Sequence, residues 1–481
     1  MTSTLAPRDD GPDPTSPADT LTVPPNASSI TDVDLSDEAV RPHWIDDWRP
    51  EDPAFWELTG AAIAKRNLIF SIVSEHIGFA VWTMWSVLVL FLGPEYGFDA
   101  SQKFLLTTLP ALFGSILRLP YTLAVARFGG RNWTIFSAAI LLVPCAVGMV
   151  VLQPGVSLGM LLVTASLAGV GGGNFASSMS NINAFYPQHL KGWALGLNAG
   201  GGNLGVAGVQ LVGLAVLATA GAGAPRLVIG IYIPLIVLAS FCASRFMDNL
   251  TSATNEKHAM RDVARDRNTW IMAFLYIGTF GSFIGLSFAF GQVLQIEFKD
   301  TFDTPIKAAY LTFLGPLIGS LVRPVGGRLA DRFGGARVTL LNFAAMALGG
   351  MLILAASSAH SLGLYLAAFI TLFTLTGLGN GSTYKMIPAI FRAKAKLAVD
   401  AGTDPEVAAH DARRLSAALI GIAGAIGAFG GVLVNLALRQ SFLTTKTGNS
   451  AYLAFIVYYA VCLLVTWFVY IRKSTHHLDG V

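Results

Sequence analysis

Charge is scarce in this chain. Only 13% of its 481 residues are Asp, Glu, Lys or Arg, against roughly 25% in an average soluble protein. Cysteine is scarcer still. Cys145, Cys242 and Cys462 all fall in apolar stretches, with no metal-ligand spacing and no disulfide framework, and they read as small packing residues. No basic segment followed by an apolar run precedes the rest, so a cleaved signal peptide is not expected. No nucleophile–base set and no metal-binding cluster stands out, so neither catalysis nor a cofactor is expected. What is abundant is apolar surface: 53% of the residues are hydrophobic and the mean hydropathy is +0.58. That much apolar surface over this length needs lipid as its solvent. A secreted disulfide module, a disordered chain and a nucleic-acid binder are excluded on the same grounds.

The net charge of +3 hides an asymmetry. Residues 1–58 hold 13 acids and three bases, and the remainder holds 16 acids and 29 bases. Residues 1–40 are rich in Pro, Ser, Thr and Asp and lack aromatics, which is the composition of a disordered tail. His43, Trp44, Trp48, Phe55 and Trp56 then suggest an amphipathic lead-in near the membrane surface. A membrane-crossing helix needs about 20 apolar residues, and twelve such stretches follow. They run over 67–93, 104–127, 133–153, 157–185, 192–221, 227–246, 269–296, 308–331, 338–358, 362–391, 415–438 and 451–471. With the N-terminus inside, 23 Lys/Arg fall on inner segments. Six, namely Lys103, Arg226, Lys299, Lys307, Arg439 and Lys446, fall on outer loops. This bias places both termini in the cytoplasm, with the chain as a multi-pass protein of the cytoplasmic (inner) membrane in contact with its lipid. The expected organisation is a tail and lead-in at 1–58, six-helix halves at 59–246 and 269–472, a basic cytoplasmic linker at 247–268 and a tail at 473–481.

The two halves repeat each other. Gly114-Ser115-Ile116-Leu117-Arg118 matches Gly319-Ser320-Leu321-Val322-Arg323 at an offset of 205, as Arg127-Phe128-Gly129-Gly130 matches Arg332-Phe333-Gly334-Gly335. Gly173-Asn174 pairs with Gly379-Asn380 one residue further out of step. Transporters built from repeats place their substrate near the midplane, between the repeats. The loop from Gly327 to Gly335 resembles the inner-loop motif of the major facilitator superfamily, which assigns Asp331 and Arg332 a structural and gating role.

Arg118 and Arg323 fall near the middle of the second and eighth spans, where an arginine costs roughly 2.5–3.5 kcal/mol on insertion scales. No acid stands at a matching depth in either helix. Either each is neutralised by a helix-end carbonyl or a buried acid, or the two repeat-equivalent guanidinium groups clamp a planar oxyanion through forked hydrogen bonds. Lys385 adds a cation in the tenth span, either tuning that site or making a structural or gating pair. Glu75, followed by His76, is the one acid well inside a span. It either pairs with a cation such as Lys385, or Glu75 or His76 carries a proton coupled to anion movement. The glycines at 171–173 and through 192–208 are read as close helix packing. Asn174, Asn198 and Asn203 are amides that either contact a ligand or tie helices together.

Together these segments are similar to the nitrate/nitrite porter family of the major facilitator superfamily, the bacterial NarK type. The likeness runs from about residue 42 and is most specific over 171–187, 192–211 and 377–391 with the paired arginines. It implies an all-α membrane protein of twelve transmembrane helices in two pseudo-symmetric six-helix halves. It implies that Arg118 and Arg323 bind nitrate or nitrite, that Phe79, Phe175, Tyr276 and Phe280 enclose the anion, and that Asn203 hydrogen-bonds it. The expected function is secondary transport of nitrate and nitrite by alternating access, as used in nitrate assimilation. Uptake runs by nitrate/nitrite exchange or with proton coupling. Glu75, His76 and Lys385 depart from members that exchange without protons, so proton symport alone is the alternative. A non-transporting sensor or scaffold is the competing class.

Overall fold

The computed structural model describes residues 42–252 and 258–472. The tail expected at 1–40, Lys257 and the C-terminal tail at 473–481 lie outside the described residues. Twelve helices are long and apolar enough to cross a membrane. They are α1 (Pro53–Phe91), α2 (Ala100–Phe128), α3 (Gly130–Val151), α4 (Leu158–Phe185), α5 (Gln188–Ala220), α6 (Pro225–Phe246), α7 (Arg267–Glu297), α8 (Pro305–Phe333), α9 (Gly335–Ser358), α10 (Leu362–Asp400), α11 (Pro405–Thr445) and α12 (Asn449–Ile471).

Local chemistry sets where these helices begin. Asp99 and Gln102 form a reciprocal capping box at the start of α2. Asp52, Asp266 and Asp404 each accept backbone N–H groups at the starts of α1, α7 and α11, and proline occupies the first turn of α1 and α11. The hydropathy limits are therefore too short. Helix α1 starts at Pro53 rather than 67, and α10 and α11 reach Asp400 and Pro405. Charged residues such as Arg392 and Lys394 end a hydrophobic run but not an α-helix.

The lead-in does not lie free along a surface. Trp44–Ile45 (β1) pairs in parallel with Asn249–Leu250 (β2) from the segment after α6. Trp48 is buried edge-on against Phe55 and against Phe185 at the end of α4. Asp248 accepts from Arg66 Nη2 at 2.6 Å and from Asn67 Nδ2 at 3.0 Å. The Asn249 side-chain oxygen accepts the Arg131 and Asn132 backbone N–H groups at 2.9 and 3.3 Å. The lead-in, α1, α3 and the start of the connection to α7 are thus stitched together at one end of the bundle, here called the linker end.

The repeat seen in the sequence is visible in the backbone. Gly129 and Gly334, repeat-equivalent, take φ of +87° and +90° and each turns one helix into the next. Arg127 and Arg332 stack on the rings of Phe128 and Phe333 beside them, 5.4 and 5.1 Å from the centroids.

One set of contacts between α1–α6 and α7–α12 lies at the end opposite the linker. Gln210 donates to the Ser287 carbonyl at 3.0 Å, Thr107 to Asn435 Oδ1 at 3.0 Å, Gln292 to the Ala100 carbonyl at 2.7 Å and Arg439 to the Ser101 carbonyl at 3.3 Å. Trp82 meets Phe288 edge-on and Phe104 stacks on Phe442.

Gly129 combines a left-handed φ with a position where a Cβ would overlap the Asn249 side chain. Gly129→Ala is expected to cost about 1–3 kcal/mol, read as a lower unfolding temperature of the detergent-purified protein. Gly159→Ala, on an open and exposed helical turn, is expected to leave that temperature unchanged or slightly higher.

Candidate functional site

Helical irregularities cluster where the two central arginines lie. Within α4, residues Gly169–Gly173 form a 3-10 turn, and within α7, Ile277–Gly281 form a π turn. Such local departures re-aim backbone groups and side chains, and π turns are frequent at functional sites. The 3-10 turn presents the Gly172 carbonyl to Arg118 Nε at 3.1 Å. The π turn leaves Tyr276 and Phe280 stacked, with centroids 5.2 Å apart and ring planes 10° apart.

Arg118 on α2 is fully buried, and Arg323 on α8 is 4% exposed. Both reach the same pair of rings, Phe175 from α4 and Phe280 from α7. Arg118 Cζ lies 4.5 and 4.9 Å from the two centroids, and Arg323 Cζ lies 5.8 and 6.0 Å from them. The rings themselves are 5.9 Å apart at an interplanar angle of 28°. Phe79 and Trp82 on α1 close the Arg118 side at 5.9 and 5.3 Å. Tyr384 on α10 covers Arg323 at 5.6 Å.

Hydrogen bonding leaves both guanidinium groups incomplete. Arg118 donates through Nη1 to the Gly424 carbonyl of α11 at 2.9 Å, across the interface between the halves. Arg323 donates through Nη2 to the Tyr276 hydroxyl at 3.1 Å. Arg118 Nη2 and Arg323 Nη1 are buried and have no hydrogen-bond partner. Among the described residues neither arginine forms an ion pair. Cation–π contacts supply about 0.5–2 kcal/mol each, less than the several kcal/mol of desolvation that a buried charge costs. Two positive charges, each with an unpartnered N–H group, thus converge between aromatic faces.

The other expected residues fall at different distances from this cage. Asn203 is buried on α5 and its carboxamide has no partner at either atom. It makes no hydrogen bond to either arginine. Glu75 is buried on α1, where Oε2 accepts from Asn198 Nδ2 at 2.8 Å and Oε1 has no partner. His76 is turned away, its Nδ1 3.3 Å from the Gly201 carbonyl. Lys385 does not enter the cage. Its ammonium, partly exposed, lies 3.0 and 2.9 Å from the two carboxylate oxygens of Asp331, which rules out the Glu75–Lys385 pairing. Asp331 and Arg332 are exposed near the linker end of α8.

A cavity of about 40 Å³ adjoins the cage on the linker side. Phe175, Met179 and Asn183 of α4, Tyr384 of α10, and Gly421 and Gly424 of α11 line it. Trp82, Tyr384 and the carbonyls of Gly172 and Gly424 are the parts of the site that sequence reasoning missed. Trp82 lies three residues after Phe79, on one helical face, and Tyr384 lies inside the glycine-and-asparagine signature, so both carried a signal. A backbone carbonyl carries none.

If Lys385 acts through Asp331 and not through the cage, Lys385→Gln should change the apparent nitrate affinity less than about twofold. An exposed pair of this kind contributes about 0–1 kcal/mol. Nitrate-dependent thermal stabilisation in detergent measures this, and a tenfold loss would return Lys385 to the site.

Comparisons with known proteins agree with this architecture. The family model of the Major Facilitator Superfamily matches residues 73–401. The chain is 38% identical to the nitrate/nitrite transporter NarU of Escherichia coli, over 92% of this chain and 99% of that one. It is 32% identical to the probable nitrate/nitrite antiporter NarK2 of Thermus thermophilus, over 90% and 97%. Among solved structures, the xylose transporter XylE of E. coli superposes with a TM-score of 0.62 at 13% identity, over 86% of this chain and 99% of that one, a likeness of fold alone. On the family match and these identities, the chain belongs to the nitrate/nitrite porter family of the major facilitator superfamily.

Proposed function

We infer that this multi-pass membrane protein is a secondary active transporter of nitrate and nitrite working by alternating access. The observation that carries this reading is the convergence of Arg118 and Arg323, one from each half, on the same two aromatic rings with a free N–H group apiece. A planar oxyanion between Phe175 and Phe280 takes forked hydrogen bonds from both guanidinium groups. Phe79 and Tyr276 complete the enclosure, and the unpartnered Asn203 amide offers a further donor from α5.

The halves 59–246 and 269–472 rock about this point. The segment 247–268 and both termini face the cytoplasm, in keeping with the Lys/Arg bias, and the membrane is the inner one. On that orientation the cavity beside Tyr384 opens inward, and the ties through Gln210, Thr107, Gln292 and Arg439 seal the outer side. Asp331, held to Lys385, and Arg332 sit at the inner end of α8 and rearrange as the inner side closes. Without an anion, closure brings two like charges together, and the bound anion offsets their repulsion. Exchange of nitrate for nitrite follows, and because both are monovalent it moves no net charge.

Replacing either arginine by alanine removes charge-assisted hydrogen bonds worth about 1.5–3 kcal/mol each. Arg118→Ala and Arg323→Ala should each weaken nitrate binding about 10- to 100-fold and abolish nitrate/nitrite exchange in proteoliposomes. Arg118→Lys keeps the charge but loses the fork and should also fail to exchange at wild-type rate. Nitrate binding without flux in the wild type would instead identify a sensor, and unaltered exchange in both alanine variants would refute the anion site.

A further inference from the structure

The cavity on the linker side of the cage has walls from both halves. One stripe of α4 from Ala176 to Asn183 and one stripe of α11 from Ala417 to Gly424 face each other across it, each at the i, i+3, i+4, i+7 spacing of a single helix face. Its polar groups are uncommitted. The Tyr384 hydroxyl is buried with no partner. Ser180 and Asn183 are half-buried, and among the described residues their side chains form no hydrogen bond. Among the described residues no acid lines the cavity. Glycine keeps the α11 wall low: a Cβ at Gly421 would press on Thr122 at 3.3 Å. The volume of about 40 Å³ compares with roughly 10–15 Å³ for one water, so it has room for about three waters or one small oxyanion.

Cage and cavity share walls. Phe175 lines the cavity and lies against both guanidinium groups. Gly424 lines it, and its carbonyl accepts from Arg118 Nη1. Tyr384 lines it and covers Arg323. An anion in the cavity is therefore in the field of both arginines. Neither arginine forms an ion pair among the described residues. One monovalent anion in the cage offsets one of the two charges, and the other still attracts a second anion.

We propose that this cavity is a second anion site, a station for nitrate or nitrite held by the Tyr384 hydroxyl, Ser180 and Asn183. The proposal rests on the exchange transport inferred above and describes how an anion enters and leaves the cage. Forked, charge-assisted bonds hold the cage ion tightly, and a site that only binds tightly releases slowly. The station divides release into two short steps, because neutral donors receive the ion while it is still in the arginine field. Weak binding at a neighbouring site is what lets an ion leave a strong one. Entry uses the same two steps in reverse. Since its walls belong to different halves, the station narrows as the inner side closes, and the cage ion alone is carried across.

Equilibrium dialysis of the purified full chain against nitrate in chloride-free buffer counts the sites. Wild type should take up two nitrate ions per chain, in a tighter and a weaker phase. Asn183→Leu fills the cavity and removes a donor. It should keep the tight phase within about twofold and lose the weak one. In nitrite-loaded liposomes its nitrate influx should fall about fivefold or more, the effect of one or two lost hydrogen bonds. Tyr384→Phe keeps the ring over Arg323 and removes the hydroxyl alone. It should weaken the second phase about three- to tenfold, a readout that stands even if Asn183→Leu does not fold. A single bound nitrate in wild type, or a second one unchanged in both variants, overturns the station while leaving the exchange transporter intact. Nitrate that neither binds to wild type nor exchanges for nitrite would overturn the transport reading itself.

Discussion

The unbalanced positive charge of Arg118 and Arg323 is the constraint on which the rest depends. Two guanidinium groups lie in a bundle whose neighbouring side chains are mostly aromatic or small, and among the described residues no carboxylate forms an ion pair with either one. The protein answers with ring faces, two backbone carbonyls and a tyrosine hydroxyl. These partners stabilise the charges without neutralising them. On the proposed reading, a cationic site framed by flat rings favours a small flat anion over a neutral sugar.

The irregular helices follow from the same demand. A regular α4 would direct the Gly172 carbonyl along its own axis, and the 3-10 turn frees it for Arg118. The π turn of α7 sets Tyr276 and Phe280 face to face, so that one ring accepts from Arg323 and the other lies under both arginines. The bond from Arg118 to the Gly424 carbonyl crosses between the halves at the level of the cage. Hydrogen bonds and ring contacts tie the halves on one side of it, and on the other side there is a cavity. On the proposed mechanism the arginine pair is the fulcrum as well as the receptor, and occupancy and movement are coupled through it.

Much of this was legible in the sequence because membranes punish charge. Arg118 and Arg323 stood out as costly residues at matching depths, and the repeat that relates them is written in the Gly-Ser-x-x-Arg and Arg-Phe-Gly-Gly segments. The family resemblance then pointed to Phe79, Phe175, Tyr276 and Phe280, and the structure brings all four to the arginines. Helix ends were less legible, since hydropathy marks where lipid stops and capping marks where the helix stops. The tertiary contacts of the lead-in were not legible from its composition: Trp48 packs on Phe55 and Phe185, and Trp44 lies in a strand paired with Asn249–Leu250. For Lys385 the sequence left open a tuning role or a structural or gating pair, because a cation inside an apolar run has a depth in sequence but no direction; its ammonium lies on Asp331, 54 residues away. Asn203 is a buried amide with neither atom partnered, a contact that its sequence context did not decide.

The central claim is that both arginines hold one anion. Rotational-echo magnetic resonance on the membrane-embedded protein, with 15N-nitrate and 13C-labelled arginine, reports it directly. The account predicts that nitrate dephases two guanidinium carbons, one removed by Arg118→Lys and the other by Arg323→Lys. Dephasing of a single guanidinium carbon, or of none, would contradict it.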